Sequence, residues 1–107
     1  WLSRILGRKI AGAYGRARTL RVSSLYSDEE LASRLFLEAR WRLTPYSDME
    51  RELPGADPVL DLGCGHGLLS FALASRSSRR AVIGVDHDEK RIGIARRALA
   101  KAPAGLK

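Results

Sequence analysis

The chain has 107 residues, of which 45% are hydrophobic, and a formal net charge of +7. This length suits one small domain rather than two, and the apolar content excludes wholesale disorder. The single cysteine excludes an internal disulfide and a four-cysteine zinc site. No apolar run approaches the roughly 18 residues that a membrane span requires. These features favour a reducing, cytoplasmic setting.

The first 21 residues form a basic arm with six arginines and lysines and no acidic residue. Apolar residues recur at helical spacing over residues 2–14, which predicts an amphipathic helix that its glycines weaken. A basic arm favours an anionic neighbour, so peripheral membrane contact through residues 1–21 is one expectation. Nucleic acid is a less favoured partner, because the chain shows no appended nucleic-acid module. A solvated helix face, or packing on the rest of the protein, is the alternative.

Two further helices are predicted before residue 57. A capping box at Ser27–Glu30 should start a helix that runs to about Arg42. The inner face of this helix is predicted to carry Leu31, Leu35 and Ala39, with Ala32 and Phe36 beside them. A second capping signal at Ser47 predicts a short helix. Residues 1–56 are therefore interpreted as a helical N-terminal extension.

From Pro58 onward the pattern changes to alternating strands and helices. Short apolar runs at residues 59–62 and 81–85 predict buried parallel strands. Helices are predicted over residues 68–76 and from the capping residue Asp88 to just before Pro103. This β-α-β-α order predicts an α/β fold class, in which a right-handed crossover begins a Rossmann-like open parallel sheet.

Three glycines within five positions follow the first strand, in the stretch LDLGCGHGLL. Asp61 precedes them and Asp86 closes the second strand, at the edge where such sheets bind ligands. Gly63 and Asp86 are 23 residues apart, near the roughly 20 expected between a nucleotide-binding loop and its ribose-binding acid. Asp61 would repel a pyrophosphate by about 4 kcal/mol at ~4 Å and an effective dielectric of ~20. These residues favour an adenosine ligand that carries a positive centre and no phosphate.

At these residues the chain resembles the class I S-adenosylmethionine-dependent methyltransferases. The stretch Asp61–Gly67 is similar to the family's first motif, an acid followed by G-x-G-x-G, and Gly84–Asp88 is similar to its second. The resemblance covers about residues 58–99. It implies that residues 57–107 are the first half of a cofactor-binding methyltransferase domain, and that the chain is an N-terminal fragment of a longer enzyme. A ligand-free glycine turn and a nicotinamide or flavin site are the alternatives.

The resemblance also implies roles for individual residues, with S-adenosyl-L-methionine as the cofactor. Asp61 would orient the amino group of the cofactor, and Asp86 would hold its ribose hydroxyls. His87 would lie near the adenine, unless it is a solvent-facing turn residue. The backbone around the methionine portion would come from Gly63, Cys64 and Gly65.

Other side chains near the loop carry less specific signals. Cys64 has no paired base in the sequence and is interpreted as a small residue that fills the loop. His66 is either a base or a loop residue without a catalytic part. Arg40 and Tyr46 are candidates for contact with the cofactor, and simple packing of their helix on the sheet is the alternative. No metal site is predicted, because the two histidines lack partners at ligand spacing.

The predicted activity is methyl transfer to an unidentified small-molecule or lipid-linked acceptor, mainly by aligning nucleophile, methyl carbon and sulfur. No catalytic residue is assigned, and the fragment itself is expected to be inactive. One alternative is a non-catalytic piece, at most a cofactor-binding or interaction module, because a two-stranded sheet would leave both of its edges unpaired. Another is an RNA-directed methyltransferase that uses the basic arm.

Overall fold

A computed structural model describes residues 3–7, 22–53, 58–76 and 80–102. In these residues, helices pack against a three-stranded sheet. The strands are β1 (Ser3–Gly7), β2 (Val59–Leu62) and β3 (Val82–Asp86). The α-helices are α1 (Leu31–Leu43), α2 (Tyr46–Arg51), α3 (Leu68–Arg76) and α4 (Glu89–Lys101), and a 3-10 helix spans Val22–Tyr26. The predicted strand–helix–strand–helix order is confirmed for residues 59–101.

Strand β3 lies in the middle of the sheet, between β1 and β2. It runs parallel to β2, and Asp61 is in register with Gly84. The carboxyl ends of these two strands therefore meet at the same edge of the sheet, as expected for a β-α-β unit. The observed fold class is mixed α/β with one parallel strand pair.

The helix predicted over residues 2–14 is wrong for residues 3–7, which form strand β1. This strand pairs antiparallel with β3, from Ser3 opposite Asp86 to Gly7 opposite Val82. The backbone groups on the edge of β3 offer this segment a full set of partners, and its helical pattern, interrupted by glycine, is too weak to compete. The expectation that both sheet edges would be unpaired is therefore wrong at this edge.

The remainder of the basic arm, residues 8–21, lies outside the described residues, as do most of the residues proposed for membrane contact. Among the described residues, no helix combines the length and apolar character needed to cross a membrane.

The predictions that Ser27 and Ser47 cap helices are both wrong. Helix α1 begins at Leu31, and its capping residue Glu30 makes no side-chain hydrogen bond. Ser27 instead lies in a turn after the 3-10 helix, where its amide donates to the carbonyl of Ser24 at 3.3 Å. Helix α2 likewise begins one residue before Ser47. The pattern at Ser27 does not start a helix because Tyr26, just before it, is buried in the core and holds the chain in a 3-10 turn.

The predicted inner face of α1 is also wrong. Leu31, Leu35 and Phe36 are 65%, 62% and 50% exposed, whereas Leu37 is 1% exposed. Helix α1 packs on the 3-10 helix and not flat on the sheet, so only a narrow line of it is buried. An apolar repeat shows that a helix has an apolar face but not which partner will cover it.

The main core draws on both parts of the chain. It combines the 3-10 helix, α1 and α2 with α3, β3 and α4; its largest members are Tyr26, Leu37, Tyr46, Leu68, Phe71, Leu73 and Ile94. Arg97 on α4 binds Glu29, and Arg76 on α3 binds Glu50 on α2 at 2.9 Å. Exposed ion pairs of this kind add little stability, but here they join residues 29 and 50 to the helices that follow the strands.

Gly84, at the centre of β3, leaves no room for a side chain. A Cβ atom there would lie 2.9 Å from both the Cys64 Sγ and the Ser70 Oγ. The side chain at position 84 must therefore be absent for the glycine loop and α3 to approach the strand together.

Substitution of this residue tests the constraint. Gly84→Ala is expected to lower the free energy of unfolding by about 1–3 kcal/mol, because short side chains on both sides would have to move. Gly93→Ala is the matched control: the nearest atom to its new Cβ would be the Arg97 Nη1 at 3.6 Å, and alanine suits a helix better by up to about 1 kcal/mol. Urea unfolding measures both variants. Equal stability of Gly84→Ala and the wild type would contradict the argument.

Candidate functional site

The glycine loop between β2 and α3 is a sharp backbone turn over the end of β3. Gly63, Gly65 and Gly67 have φ values of 74°, 55° and 88°. Residues other than glycine rarely adopt these backbone conformations. The amides of Gly63 and Cys64 both donate to the carbonyl of Val85, at 2.7 and 3.0 Å. The glycine requirement at these positions is thus conformational, and the loop is attached directly to β3.

Asp86 connects the two ends of this arrangement. One of its carboxylate oxygens accepts the Gly65 amide at 2.7 Å, and the other accepts the Asp88 amide at 2.8 Å. The Asp88 and Gly65 amides hold the pKa of this carboxyl below its usual range although its burial opposes them, and His87 and Arg91 add to the lowering. Asp86 therefore remains ionised in the neutral range and holds the loop to β3.

Asp61 is fixed from the other side, by α3. Its Oδ2 atom accepts a hydrogen bond from the Ser70 hydroxyl at 2.7 Å. Within the residues that the structure describes, no hydrogen bond to its Oδ1 atom is found. Because Asp61 also lines a cavity beside the loop, this oxygen is available to a ligand.

The cavity has a volume of about 260 Å³. The glycine loop and Asp61 form one part of its lining, and residues of α1, α2 and the turn between them form another. Residues from the loop side are Asp61, Gly63, Cys64, Gly65, His66, Leu68 and Leu69; those facing them are Phe36, Arg40, Thr44, Tyr46 and Met49, with Arg91 from α4. Phe36 and Arg40 are four residues apart on α1 and so share one face of the helix, and Thr44 is the residue that caps its C-terminal end.

The charges around the cavity are of both signs. Arg91 is paired with Asp88, at 3.4 Å, and Arg42, outside the cavity, is paired with Glu38. Arg40 has no acidic partner in the described part of the chain. The cavity thus combines a carboxylate, Asp61, with an unpaired guanidinium, which suits a ligand that carries an ammonium and a carboxylate group.

Cys64 and His66 both line the cavity in their neutral forms. Burial, with Asp61 and Asp86 nearby, raises the pKa of the Cys64 thiol to about 12. The thiol is therefore protonated at neutral pH. Burial also lowers the pKa of His66, as do the charges of Arg91 and Arg40.

The structure brings together some of the predicted site residues and leaves others apart. Asp61, Gly63, Cys64 and Gly65 line the cavity, as do the candidates Arg40 and Tyr46. Asp86 is only 6% exposed and lies behind Gly65. The His87 side chain is 87% exposed and is not part of the cavity wall. The roles proposed for Asp86 and His87 toward a ligand therefore stay predictions. No cluster of three or more potential metal ligands occurs among the described residues.

Several contributors were missed by the sequence reasoning. Ser70 lies nine residues after Asp61, at the helix position that faces back toward the strand. Phe36 was assigned to a packing face, although its ring lies 5.8 Å from that of His66. Nothing in the sequence indicated that the Tyr26 hydroxyl would donate to the His66 carbonyl at 2.7 Å, because 40 residues separate the two.

Comparison with known proteins identifies one related family. A family model described as a methyltransferase domain matches residues 59–107. The match includes β2, the glycine loop, α3, β3 and α4. No curated protein and no solved structure matches the chain.

The attachment of the loop to Asp86 can be tested by substitution. An asparagine at position 86 has only one accepting oxygen, so either the Gly65 or the Asp88 amide would face an NH₂ group. Asp86→Asn is expected to lower the unfolding free energy by about 1–3 kcal/mol at pH 7. The exposed Asp48, which pairs with Arg51, provides the control Asp48→Asn, expected to change little.

The contribution of Asp86 to stability is also expected to depend on pH. Because the folded-state pKa of Asp86 is lowered, its contribution to stability is fully present above the unfolded-state value of about 4 and is lost as pH falls through the lower folded-state value. The difference between wild type and Asp86→Asn should therefore shrink in acid, as urea unfolding at pH 7 and pH 3 would show. A difference that grew on acidification would contradict the lowered pKa.

Proposed function

We propose that this chain binds S-adenosyl-L-methionine and takes part in transfer of its methyl group, because a family model described as a methyltransferase domain matches residues 59–107. In this proposal the strand–helix–strand–helix unit is the start of the Rossmann-like cofactor-binding sheet. The acceptor class predicted from the sequence, a small molecule or a lipid-linked molecule, is retained as part of the proposal.

The observation that supports the proposal most directly is the cavity between the glycine loop and α1. A Cβ built on Gly63 would have no heavy atom within 4 Å, so the backbone at this point is open to a ligand. Among the residues that line the cavity, Asp61 provides negative charge and Arg40 provides positive charge. The amino-acid portion of S-adenosyl-L-methionine carries the complementary ammonium and carboxylate groups.

The size of the cavity limits how much of the cofactor it could hold. Pockets for small ligands are usually about 300–1,000 Å³, whereas this cavity is about 260 Å³. The residues therefore fit the charged amino-acid portion, and the adenosine would extend toward the end of β3. Each oxygen of Asp86 already accepts one amide and has a second lone pair, but its carboxylate would need greater exposure to reach a ribose.

The bound cofactor would supply a methyl group made electrophilic by its positive sulfur. The residues of this chain would contribute binding and orientation: Asp61 attracts the cationic portion, and the rigid glycine loop fixes its position against β3. A neutral His66 adds no repulsive positive charge next to that cation. Holding the reacting groups in line in this way lowers the barrier to methyl transfer. No side chain is proposed as a catalytic base.

Calorimetric titration tests cofactor binding directly. The chain is expected to bind S-adenosylmethionine and S-adenosylhomocysteine and not NAD⁺, because Asp61 opposes a pyrophosphate at the loop. Asp61→Asn should weaken S-adenosylmethionine by about tenfold or more, the usual effect of losing a charged hydrogen bond. Binding of NAD⁺ in preference to either adenosyl compound would overturn the proposal.

The contribution of Arg40 can be separated by the choice of ligand. Arg40→Gln is expected to weaken S-adenosylhomocysteine by about tenfold or more, because a carboxylate loses its charged partner. Binding of 5′-methylthioadenosine, which lacks the amino-acid portion, should not change. Arg42→Gln is the matched control, since Arg42 lies on the same helix but is paired with Glu38. Equal weakening of both ligands would contradict a specific role for Arg40.

A further inference from the structure

The segment before α1 reaches the glycine loop through one side chain, Tyr26. This residue ends the 3-10 helix and is 1% exposed. Its hydroxyl donates a hydrogen bond to the main-chain carbonyl of His66 at 2.7 Å. His66 lies between Gly65 and Gly67, so the contact falls within the most conformationally free part of the loop.

The Tyr26 ring is held firmly enough to act as a fixed anchor. It packs edge-on against Phe71 of α3, with 6.2 Å between ring centroids, and its neighbours Val22 and Leu25 are buried in the same core. Glu29, three residues later, is bound by Arg97 of α4. Burial raises the pKa of the Tyr26 phenol well above its usual range, so the hydroxyl keeps its proton and remains a donor.

The loop depends on such contacts because glycine residues have little conformational preference of their own. Its amides are already held: Gly63 and Cys64 by the Val85 carbonyl, Gly65 by Asp86, and Gly67 by the Cys64 carbonyl. In the described residues, the His66 carbonyl has one partner, the Tyr26 hydroxyl. This bond fixes the peptide plane between His66 and Gly67, beside the His66 ring that lies 5.8 Å from that of Phe36.

From these contacts we propose that Tyr26 is a positioning residue for the cofactor site: its hydroxyl sets the glycine loop in the conformation that lines the cavity. The consequence for binding rests on the proposed function, whereas the effect on the loop does not. The segment before α1 then supports the loop that lines the cavity, although none of its described residues lines the cavity itself.

Tyr26→Phe tests the proposal, because it removes one oxygen and keeps the ring against Phe71. Amide hydrogen exchange, measured by NMR on the full chain, should become faster at Gly65, His66 and Gly67 and stay unchanged in α4. Affinity for S-adenosylhomocysteine should fall by about three- to tenfold, as expected for one neutral hydrogen bond. Replacing Tyr26 with 4-aminophenylalanine, which keeps a donor at the same position, should restore both properties.

Ser75→Ala is the matched control. It removes a hydrogen bond of similar length, from the Ser75 hydroxyl to the Ala72 carbonyl at 2.9 Å, within α3 and away from the loop. It should leave loop exchange and affinity unchanged, even if it costs as much stability as Tyr26→Phe.

The other possible results separate the positioning role of Tyr26 from the proposed function. Unchanged loop exchange in Tyr26→Phe would overturn the positioning role, and so would failure of this variant to fold, which would assign the hydroxyl to the whole fold. A wild-type chain that binds neither S-adenosylmethionine nor S-adenosylhomocysteine would contradict the proposed function, while loop exchange would still decide the role of Tyr26.

Discussion

Two main-chain amides meet at one buried carboxylate, that of Asp86, and the architecture of the site depends on this contact. One amide belongs to the glycine loop and the other to the turn before α4, so a single side chain joins the structures that follow both parallel strands. The join is tight because Gly84 has no side chain between the loop and α3. A strong charge-assisted interaction is thereby placed where the backbone has the least preference of its own.

The cavity itself is built jointly by residues from before and after β2. The loop provides an open backbone and the carboxylate of Asp61, whereas α1 provides Phe36 and Arg40 on the facing wall. The family match begins at residue 59, yet five of the thirteen residues that line the cavity precede it. A binding site defined from the matched residues alone would therefore lack the Arg40 guanidinium and the rings of Phe36 and Tyr46.

Sequence reasoning succeeded where local chemistry decides the structure. The apolar runs located β2 and β3 to within one residue, and Asp88 caps α4 by accepting the Arg91 amide, as predicted. It failed where distant residues decide: strand β1 forms because β3 offers an edge, and α1 buries Leu37 because of its contact with the 3-10 helix. Within the site, the motif residues could be predicted from spacing, but the contact of Tyr26 with His66 could not.

The state of Cys64 gives the protein an intrinsic chemical reporter. Alkylating reagents attack the thiolate, and a thiol with its pKa raised to about 12 supplies almost none at neutral pH. Since the rise is caused by burial beside two carboxylates, any motion that lifts the loop away from β3 would expose the sulfur and lower its pKa. The rate at which this one cysteine is alkylated therefore follows the opening of the loop, without any added label.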